Sequence, residues 1–326
     1  MNIFFTKLVL LVTMASAIIV YEWWSLEQRI QTLGMVRAEI DLPYKVIKLL
    51  QAVPNAQVII AGDSKSERGL NPRVFIDKGI PAINVALPSK DLWTLVRTME
   101  TTNLDKHPGI FLISIGSYQI NDGNIDKGNY NAEQFFSYTP WERLKMFKSS
   151  YFLAARTMLA AEDSYFAYDS VIRQIPGAPG FYKDLGFLAI EPGEHACGKI
   201  RHNSRATYMS VYKNIEANGA RWRLFHEALK KLDSWPGRYF LFSAPHSAKS
   251  RACMKGSFAE DFEIEFTNKV IQATKDSKRI RFVDFIFNPP ITIDDRLFYD
   301  GGHIDRNGAE VFTQWWVSYL QKERLL

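Results

Sequence analysis

The sequence contains little cysteine and no concentrated charge. It has two cysteines, Cys197 and Cys253, among 326 residues. Two cysteines are too few for a zinc finger, an iron–sulfur cluster or a disulfide-rich scaffold, but an oxidising compartment would favour one disulfide between them. Lysine and arginine number 40 against 35 acidic residues, and the basic residues are scattered rather than interleaved with aromatic ones. A nucleic-acid-binding protein is therefore not expected.

The chain also lacks internal repeats and low-complexity tracts. Hydrophobic residues make up 47% and charged residues 23% of the sequence, a balance that excludes a largely disordered chain. The length is sufficient for one large domain, or two small ones, with a substantial core. The sequence therefore predicts a folded globular protein.

An apolar segment lies close to the N-terminus. Residues 8–24 carry a single charge near their C-terminal end and finish in an aromatic cluster, which is typical of a short membrane helix with an interfacial belt. Ala15 and Ala17 also fit the cleavage site of a signal peptide. The apolar run continues past that site, which favours an uncleaved anchor. We therefore expect an N-terminal transmembrane helix in residues 1–24, followed by stalk and linker helices in residues 25–54.

Short apolar runs recur along the rest of the chain, in alternation with helical patterns. Runs of this length, rich in β-branched and aromatic residues, are typical of strands buried on both faces of a parallel sheet. They predict an α/β fold, a three-layer α/β/α sandwich with a mainly parallel five-stranded sheet, in residues 55–326. Between about residues 118 and 236 we find only helical patterns and Pro/Gly-rich loops, and we interpret this interval as a helical insertion over the carboxyl edge of the sheet. The five runs are Gln57–Ala61, Ile83–Leu87, Ile110–Ile115, Arg238–Ser243 and Ile280–Phe285.

The first predicted strand runs directly into Gly62, Asp63 and Ser64. A serine at the carboxyl end of a central strand, where a helix begins, lies in the crevice in which parallel sheets bind ligands. Gly62 permits the chain to turn tightly there. Capping of the following helix by Asp63 or Ser64 is the alternative interpretation of this triplet taken alone.

A second motif, Asp-Gly-Gly-His at residues 300–303, lies near the C-terminus. An aspartate three residues before a histidine can place its carboxylate against one ring nitrogen and leave the other nitrogen as a general base. A hydrogen-bonded surface turn would explain this motif by itself. The two motifs together favour a nucleophile, base and orienting acid formed by Ser64, His303 and Asp300.

In order and position, the two motifs resemble the first and last sequence blocks of the SGNH (GDSL-like) hydrolase superfamily. The resemblance covers most of the chain from about Val58 onward. It implies a flavodoxin-like fold in which Ser64 is the nucleophile and Asp300 and His303 complete a catalytic triad.

The two middle blocks depart from the family pattern. The second usually supplies an oxyanion-hole glycine, for which Ala86 is the nearest substitute, and the third is normally Gly-x-Asn-Asp but reads Gly-Ser-Tyr-Gln at residues 116–119. We expect the backbone N–H groups of Ser64 and Ala86 to hold the oxyanion, with Gln119 or Asn121 standing in for the missing asparagine. Loss of one donor costs about a hundredfold or more in rate, which favours a slow or specialised enzyme.

Three further residues are candidates for substrate binding. Asp63 and Arg68 lie close to the proposed nucleophile, and His246 follows the fourth predicted strand at the edge of the sheet where ligands gather. Arg68 is suited to a carboxylate or an anionic sugar. A solvated helix face and an ordinary loop histidine are the alternatives for Arg68 and His246. We expect no metal and no other cofactor.

A membrane anchor combined with these motifs and altered middle blocks looks like the SGNH-like proteins that act beside membrane-bound O-acyltransferases, in DltD-like D-alanine transfer and in alginate and peptidoglycan acetylation. The resemblance implies a periplasmic domain anchored in a bacterial inner membrane. It would take an acyl group, most simply acetyl, from a membrane-bound O-acyltransferase partner and transfer it through Ser64 to a cell-surface polysaccharide. A carbohydrate or lipid esterase and a non-catalytic glycan-binding scaffold are the alternatives.

Overall fold

A computed structural model gives the fold of the chain. It describes residues 45–87, 90–122 and 215–326, together with isolated positions at 7, 12–14, 16–17, 21 and 185. The chain divides into two compact units, one formed by Met1–Ile40 with Gly128–Pro176 and the other by Asp41–Lys127 with Gly177–Leu326. The three long described ranges all belong to the second unit, whose fold follows.

One parallel sheet of five strands organises the described part of the chain. The strand order is β2-β1-β3-β4-β5, and every neighbouring pair is parallel. The predicted α/β fold with a parallel five-stranded sheet is thereby confirmed. The strands are β1 (Val58–Ala61), β2 (Ala82–Asn84), β3 (Ile110–Ile115), β4 (Arg238–Ser243) and β5 (Ile280–Asp284).

Helices occupy the connections between the strands. Residues 45–52 are helical and precede β1. Short 3-10 helices span Leu104–Lys106, Ser117–Ile120 and Asp295–Leu297. The α-helices are α1 (Ser64–Gly69), α2 (Pro72–Ile76), α3 (Leu92–Thr101), α4 (Ala220–Ser234), α5 (Ala248–Met254), α6 (Phe258–Thr274) and α7 (Arg306–Lys322).

Alternate side chains of each central strand enter two different cores. On β1, Ile59 packs in a core with α3, α4 and α6, whereas Ile60 packs in a core with α1, α2 and α7. Phe266 of α6 and Trp316 of α7 are each fully buried in these cores, and burial of such a side chain stabilises the fold by roughly 1.5–3 kcal/mol. Because helices cover both faces, the strands are apolar along their whole length, as the sequence runs indicate.

Two segments that were predicted from sequence to lie outside the sandwich contribute to the core that contains Ile59. In the predicted stalk, residues 45–52 bury Val46 and Leu49 against the first face of the sheet. Helix α4, at the end of the predicted insertion, buries Phe225 and Leu232 in the same core. Both segments are therefore part of the helical layer that covers this face of the sheet.

Other sequence predictions fall outside the described residues. These are most of the membrane segment at residues 8–24 and most of the insertion between residues 118 and 236. In the ranges that the structure describes, no helix is long and apolar enough to cross a membrane. The disulfide predicted between Cys197 and Cys253 stays a prediction, because Cys197 lies outside the described residues; Cys253 on α5 is exposed.

Candidate functional site

The first motif forms a tight turn between β1 and α1. Gly62 has a φ of +108°, and a Cβ there would lie 2.6 Å from Ser114 Oγ, so that only glycine fits without displacement. Asp63 is the N-cap of α1 and accepts a hydrogen bond from Lys65 N at 2.9 Å. Helix capping and a nucleophile position are therefore compatible, since Asp63 caps the helix while Ser64 begins it at the carboxyl end of β1.

Ser64, His303 and Asp300 meet at this edge of the sheet. Ser64 Oγ lies 2.9 Å from His303 Nε2. On the other side of the ring, His303 Nδ1 lies 2.9 Å from Asp300 Oδ2 and 3.0 Å from Oδ1. When Nδ1–H donates to the carboxylate, Nε2 is left to accept a hydrogen bond from the serine hydroxyl. Residues separated by 239 positions in the sequence thus form one continuous hydrogen-bonded line.

The loop that carries His303 is fixed by its own aspartate. Asp300 Oδ1 accepts hydrogen bonds from the backbone N–H groups of Gly302 and His303, each at 2.8 Å. Phe298 and Ile304, both buried, pair across the loop in an antiparallel bridge. These contacts set the orientation of the imidazole before any substrate binds.

Asp300 is ionised at neutral pH. Burial acts to raise its pKa, but the hydrogen bond and charge of His303, with the two backbone N–H donors, outweigh burial and lower the pKa to about 2. A carboxylate in contact with Nδ1 stabilises the imidazolium that forms when Nε2 takes a proton.

The predicted oxyanion role of Ala86 needs correction. Its backbone N–H donates to Asn84 Oδ1 at 3.1 Å, and its carbonyl accepts a hydrogen bond from Lys45 Nζ at 2.6 Å. Ala86 is fully buried, so its N–H stabilises the loop after β2 and is not available to an oxyanion. Asn84 also donates from Nδ2 to Ser66 O at 3.0 Å and to Leu70 O at 2.9 Å, which joins β2 to the end of α1.

The two predicted amide substitutes lie in the protein interior. Asn121 is fully buried, and its Oδ1 accepts a hydrogen bond from Glu216 N at 3.0 Å. Gln119 is 3% exposed, and its Nε2 lies 3.5 Å from the Tyr118 hydroxyl. We correct both roles from oxyanion contact to interior packing. The N–H of Ser64, the first of α1 and without an intrahelical acceptor, remains as the expected donor.

Asp63 is a structural residue rather than a substrate ligand. It is 1% exposed, so the predicted role in substrate binding needs correction. Besides capping α1, its Oδ1 accepts a hydrogen bond from Ser114 Oγ at 2.6 Å, and its Oδ2 accepts one from the Tyr118 hydroxyl. Asp63 therefore ties the Gly62–Ser64 turn to the end of β3 and to the third sequence block. Sequence alone gave no signal for Tyr118 beyond its place in that block.

A buried ion pair supports α1 behind the site. Lys45 Nζ lies 3.2 Å from Glu67 Oε1, and the two side chains are 1% and 6% exposed. Burial lowers the pKa of Lys45 and raises that of Glu67, and the charge of each partner opposes the shift. Neither residue was singled out from sequence, because a lysine and a glutamate 22 positions apart form no recognisable motif.

His246 lies beside the three aligned residues, as its place after β4 indicates. Its Nε2 lies 3.3 Å from Lys65 Nζ, and a Cβ on Gly302 would be 3.7 Å from both His246 Nε2 and Lys65 Cε. Burial lowers the pKa of His246 well below its ordinary value, and the charge of Lys65 acts in the same direction. Arg68 lies one turn after Ser64 on α1; in the described part of the chain its Nε is buried without a hydrogen-bond partner.

Comparisons with known proteins assign no family to the chain. No protein-family profile and no curated protein matches it. One solved structure, of a Streptococcus pneumoniae protein provisionally described as a platelet activating factor, is 12% identical with a TM-score of 0.36, over 94% of this chain and 99% of that one. At that TM-score the likeness supports no statement about the fold or the chemistry of this chain.

Proposed function

We propose that this protein transfers acyl groups through Ser64, as an ester hydrolase or an O-acyltransferase. One observation supports the proposal most directly: Ser64 Oγ and Asp300 Oδ2 each lie 2.9 Å from opposite nitrogens of His303. A serine hydroxyl aligned with an imidazole that a carboxylate orients is the arrangement used for serine-dependent acyl transfer on several unrelated folds. A helix cap or a surface turn has no need of that alignment.

The proposed reaction has two halves with the same proton carrier. His303 Nε2 takes the hydroxyl proton of Ser64 as Oγ attacks the carbonyl carbon of the donor, while Asp300 stabilises the imidazolium. The tetrahedral intermediate then expels the leaving group, which receives the proton from Nε2, and acyl-Ser64 remains. An acceptor hydroxyl next gives its proton to Nε2 and attacks the acyl carbon, and Ser64 Oγ departs with that proton. Water as the acceptor gives hydrolysis, and a sugar hydroxyl gives transfer.

Turnover is expected to be slow. The N–H of Ser64 is one oxyanion donor, whereas the N–H of Ala86 is used by Asn84. Removal of one such donor from a serine hydrolase lowers kcat by about 10²–10³. An enzyme with this site therefore suits a reaction in which rate is less important than the choice of acceptor.

We propose further that the acceptor is a hydroxyl of a cell-surface polysaccharide and that a membrane-bound O-acyltransferase supplies the acyl group. The domain would then be periplasmic and held at the inner membrane by residues 8–24. This part of the proposal depends on the sequence: the apolar N-terminal segment and the paired motifs with altered middle blocks.

A non-catalytic scaffold or glycan-binding protein is the second candidate. The hydrogen bond between Ala86 N and Asn84 Oδ1 favours it, since an N–H that is already used in this way does not stabilise an oxyanion. The alignment of Ser64 with His303 and Asp300 favours the enzyme, because binding alone requires no proton relay.

Hydrolysis of p-nitrophenyl acetate by the full-length protein in mild detergent separates the two candidates. We expect turnover above background that falls about a hundredfold or more in Ser64→Ala and in His303→Ala. Ser318→Ala, which removes an exposed hydroxyl from α7, is the matched control and should leave the rate unchanged. Equal rates in the parent and in Ser64→Ala would contradict the enzymatic proposal and support the scaffold.

A further inference from the structure

Lys65 and His246 form a polar pair that the acyl-transfer steps above do not use. Lys65 Nζ lies 3.3 Å from His246 Nε2. His246 is 6% exposed, and burial together with the charge of Lys65 keeps its pKa well below the ordinary value. The imidazole is therefore neutral, and its Nε2 accepts a hydrogen bond from the ammonium group.

The pair lies against the loop that carries His303. Gly302 has room for no more than a methyl group there, because a Cβ would lie 3.7 Å from both His246 Nε2 and Lys65 Cε. The neighbouring Gly301 accepts a backbone hydrogen bond from Ser247 at 3.3 Å. The Lys65 side chain therefore lies beside the glycine turn that directly precedes His303.

The ammonium group has donor capacity beyond this contact. It carries three N–H donors, and His246 accepts from one of them. Among the residues that the structure describes, no aspartate or glutamate forms an ion pair with Lys65. A partly exposed ammonium group that contacts a neutral acceptor instead of a counter-ion is left to attract an anionic group.

A second cation follows on the same helix. Arg68 lies three residues after Lys65, which puts the two side chains on neighbouring positions of the helix surface. The adjacent Glu67 does not pair with either cation, because its carboxylate is buried against Lys45. The side of α1 that begins at Ser64 is thus positively charged.

We propose that Lys65, held by His246, binds a negatively charged oxygen group of the substrate, a carboxylate or a phosphate close to the reacting ester or hydroxyl. This inference rests on the proposed acyl transfer and narrows its substrate class to anionic molecules. His246 acts through Lys65 and is a positioning residue.

Calorimetric titration of the full-length protein with inorganic phosphate and with glucuronate tests the inference, and the two probes distinguish a phosphate from a sugar carboxylate. We expect at least one anion to bind and neutral glucose not to bind. Lys65→Met should weaken anion binding at least about tenfold, whereas Lys78→Met, an equal loss of charge at an exposed position after α2, should not. His246→Gln retains an acceptor and should preserve binding, and His246→Leu should weaken it.

Two results would overturn the inference. One is that neither anion binds to the parent at concentrations up to about 50 mM. The other is that Lys65→Met binds the anion as tightly as the parent does. Ester hydrolysis by the same preparations keeps this test separate from that of the proposed function. Ser64-dependent hydrolysis with unchanged anion binding in Lys65→Met contradicts the anion site alone. Anion binding that depends on Lys65, without Ser64-dependent hydrolysis, contradicts the acyl transfer alone.

Discussion

The phenolic hydroxyl of Tyr118 donates a hydrogen bond to Asp63 Oδ2. This contact joins the third sequence block, after β3, to the residue that caps α1 next to Ser64. Burial and the Asp63 carboxylate raise the pKa of Tyr118, so the phenol stays protonated and continues to donate. The third block therefore has a structural task here, which is to fix the Gly62–Ser64 turn.

Replacement of Tyr118 by phenylalanine should destabilise the fold. Asp63 is 1% exposed, and loss of a hydrogen bond to a buried charged group costs about 1.5–3 kcal/mol. Urea unfolding at neutral pH measures the change, and Tyr299→Phe, at a tyrosine that is 49% exposed, is the matched control. A free energy of unfolding equal to that of the parent would show that Ser114 and the helix N-terminus hold Asp63 without the phenol.

Two glycines with positive φ should respond differently to alanine. At Gly62 a Cβ would lie 2.6–2.8 Å from the Oγ, O and N atoms of Ser114, so Gly62→Ala forces β1 and β3 apart in addition to straining the backbone. At Gly79, φ is +78° and a Cβ meets nothing within 4 Å, so Gly79→Ala carries only the backbone cost of about 1–2 kcal/mol. The melting temperature of Gly62→Ala should therefore be well below that of Gly79→Ala. Equal melting temperatures would contradict the close approach of Ser114 to Gly62.

The Lys45–Glu67 pair should show strong coupling in a double-mutant cycle. Lys45→Met leaves the Glu67 carboxylate buried without its cation, and removal of one partner of a buried pair costs about 3–5 kcal/mol. The double variant Lys45→Met/Glu67→Gln should lose much less than the sum of the two single changes, as measured by urea unfolding. Additive losses would mean that the two side chains do not interact in solution.

Asp300 should give an acid-dependent contribution to stability. Its pKa of about 2 in the folded protein lies below the ordinary value of 3.8, so the carboxylate stabilises the fold above about pH 4, and this contribution is lost as the pH falls toward 2. The difference in unfolding free energy between the parent and Asp300→Asn should therefore be larger at about pH 5 than at about pH 3. A difference that is constant over this range would contradict the lowered pKa.

The sheet and its strands could be predicted from the sequence because helices cover both faces of the sheet. Continuous apolar runs such as Ile110–Ile115 arise when the side chains on both faces of a strand are buried under helices. This pattern can be recognised without knowing which residues contact the strand. The closeness of Ser64 and His303 was also predictable. Ser64 follows a strand at the carboxyl edge of the sheet, and His303 lies in the loop before the last helix. Local spacing sufficed for Asp300 and His303.

The surroundings of the site were not predictable in the same way. Asp63 was expected to meet substrate, but Ser114 and Tyr118 bind both of its oxygens across the sheet. Ala86 was expected to donate to an oxyanion, but Asn84 uses its N–H. Each outcome depends on contacts between side chains that are distant in sequence, and such contacts leave no periodic signal along the chain.

Intact-protein mass spectrometry of the full-length protein with p-nitrophenyl acetate tests most directly whether Ser64 becomes acylated. We expect a transient mass increase of one acetyl group on the parent, abolished in Ser64→Ala and retained in Ser318→Ala. In Asp300→Asn the same adduct should form about 10²–10⁴ times more slowly, because Nδ1 loses its carboxylate partner. The absence of any Ser64-dependent adduct would contradict acyl transfer through this residue.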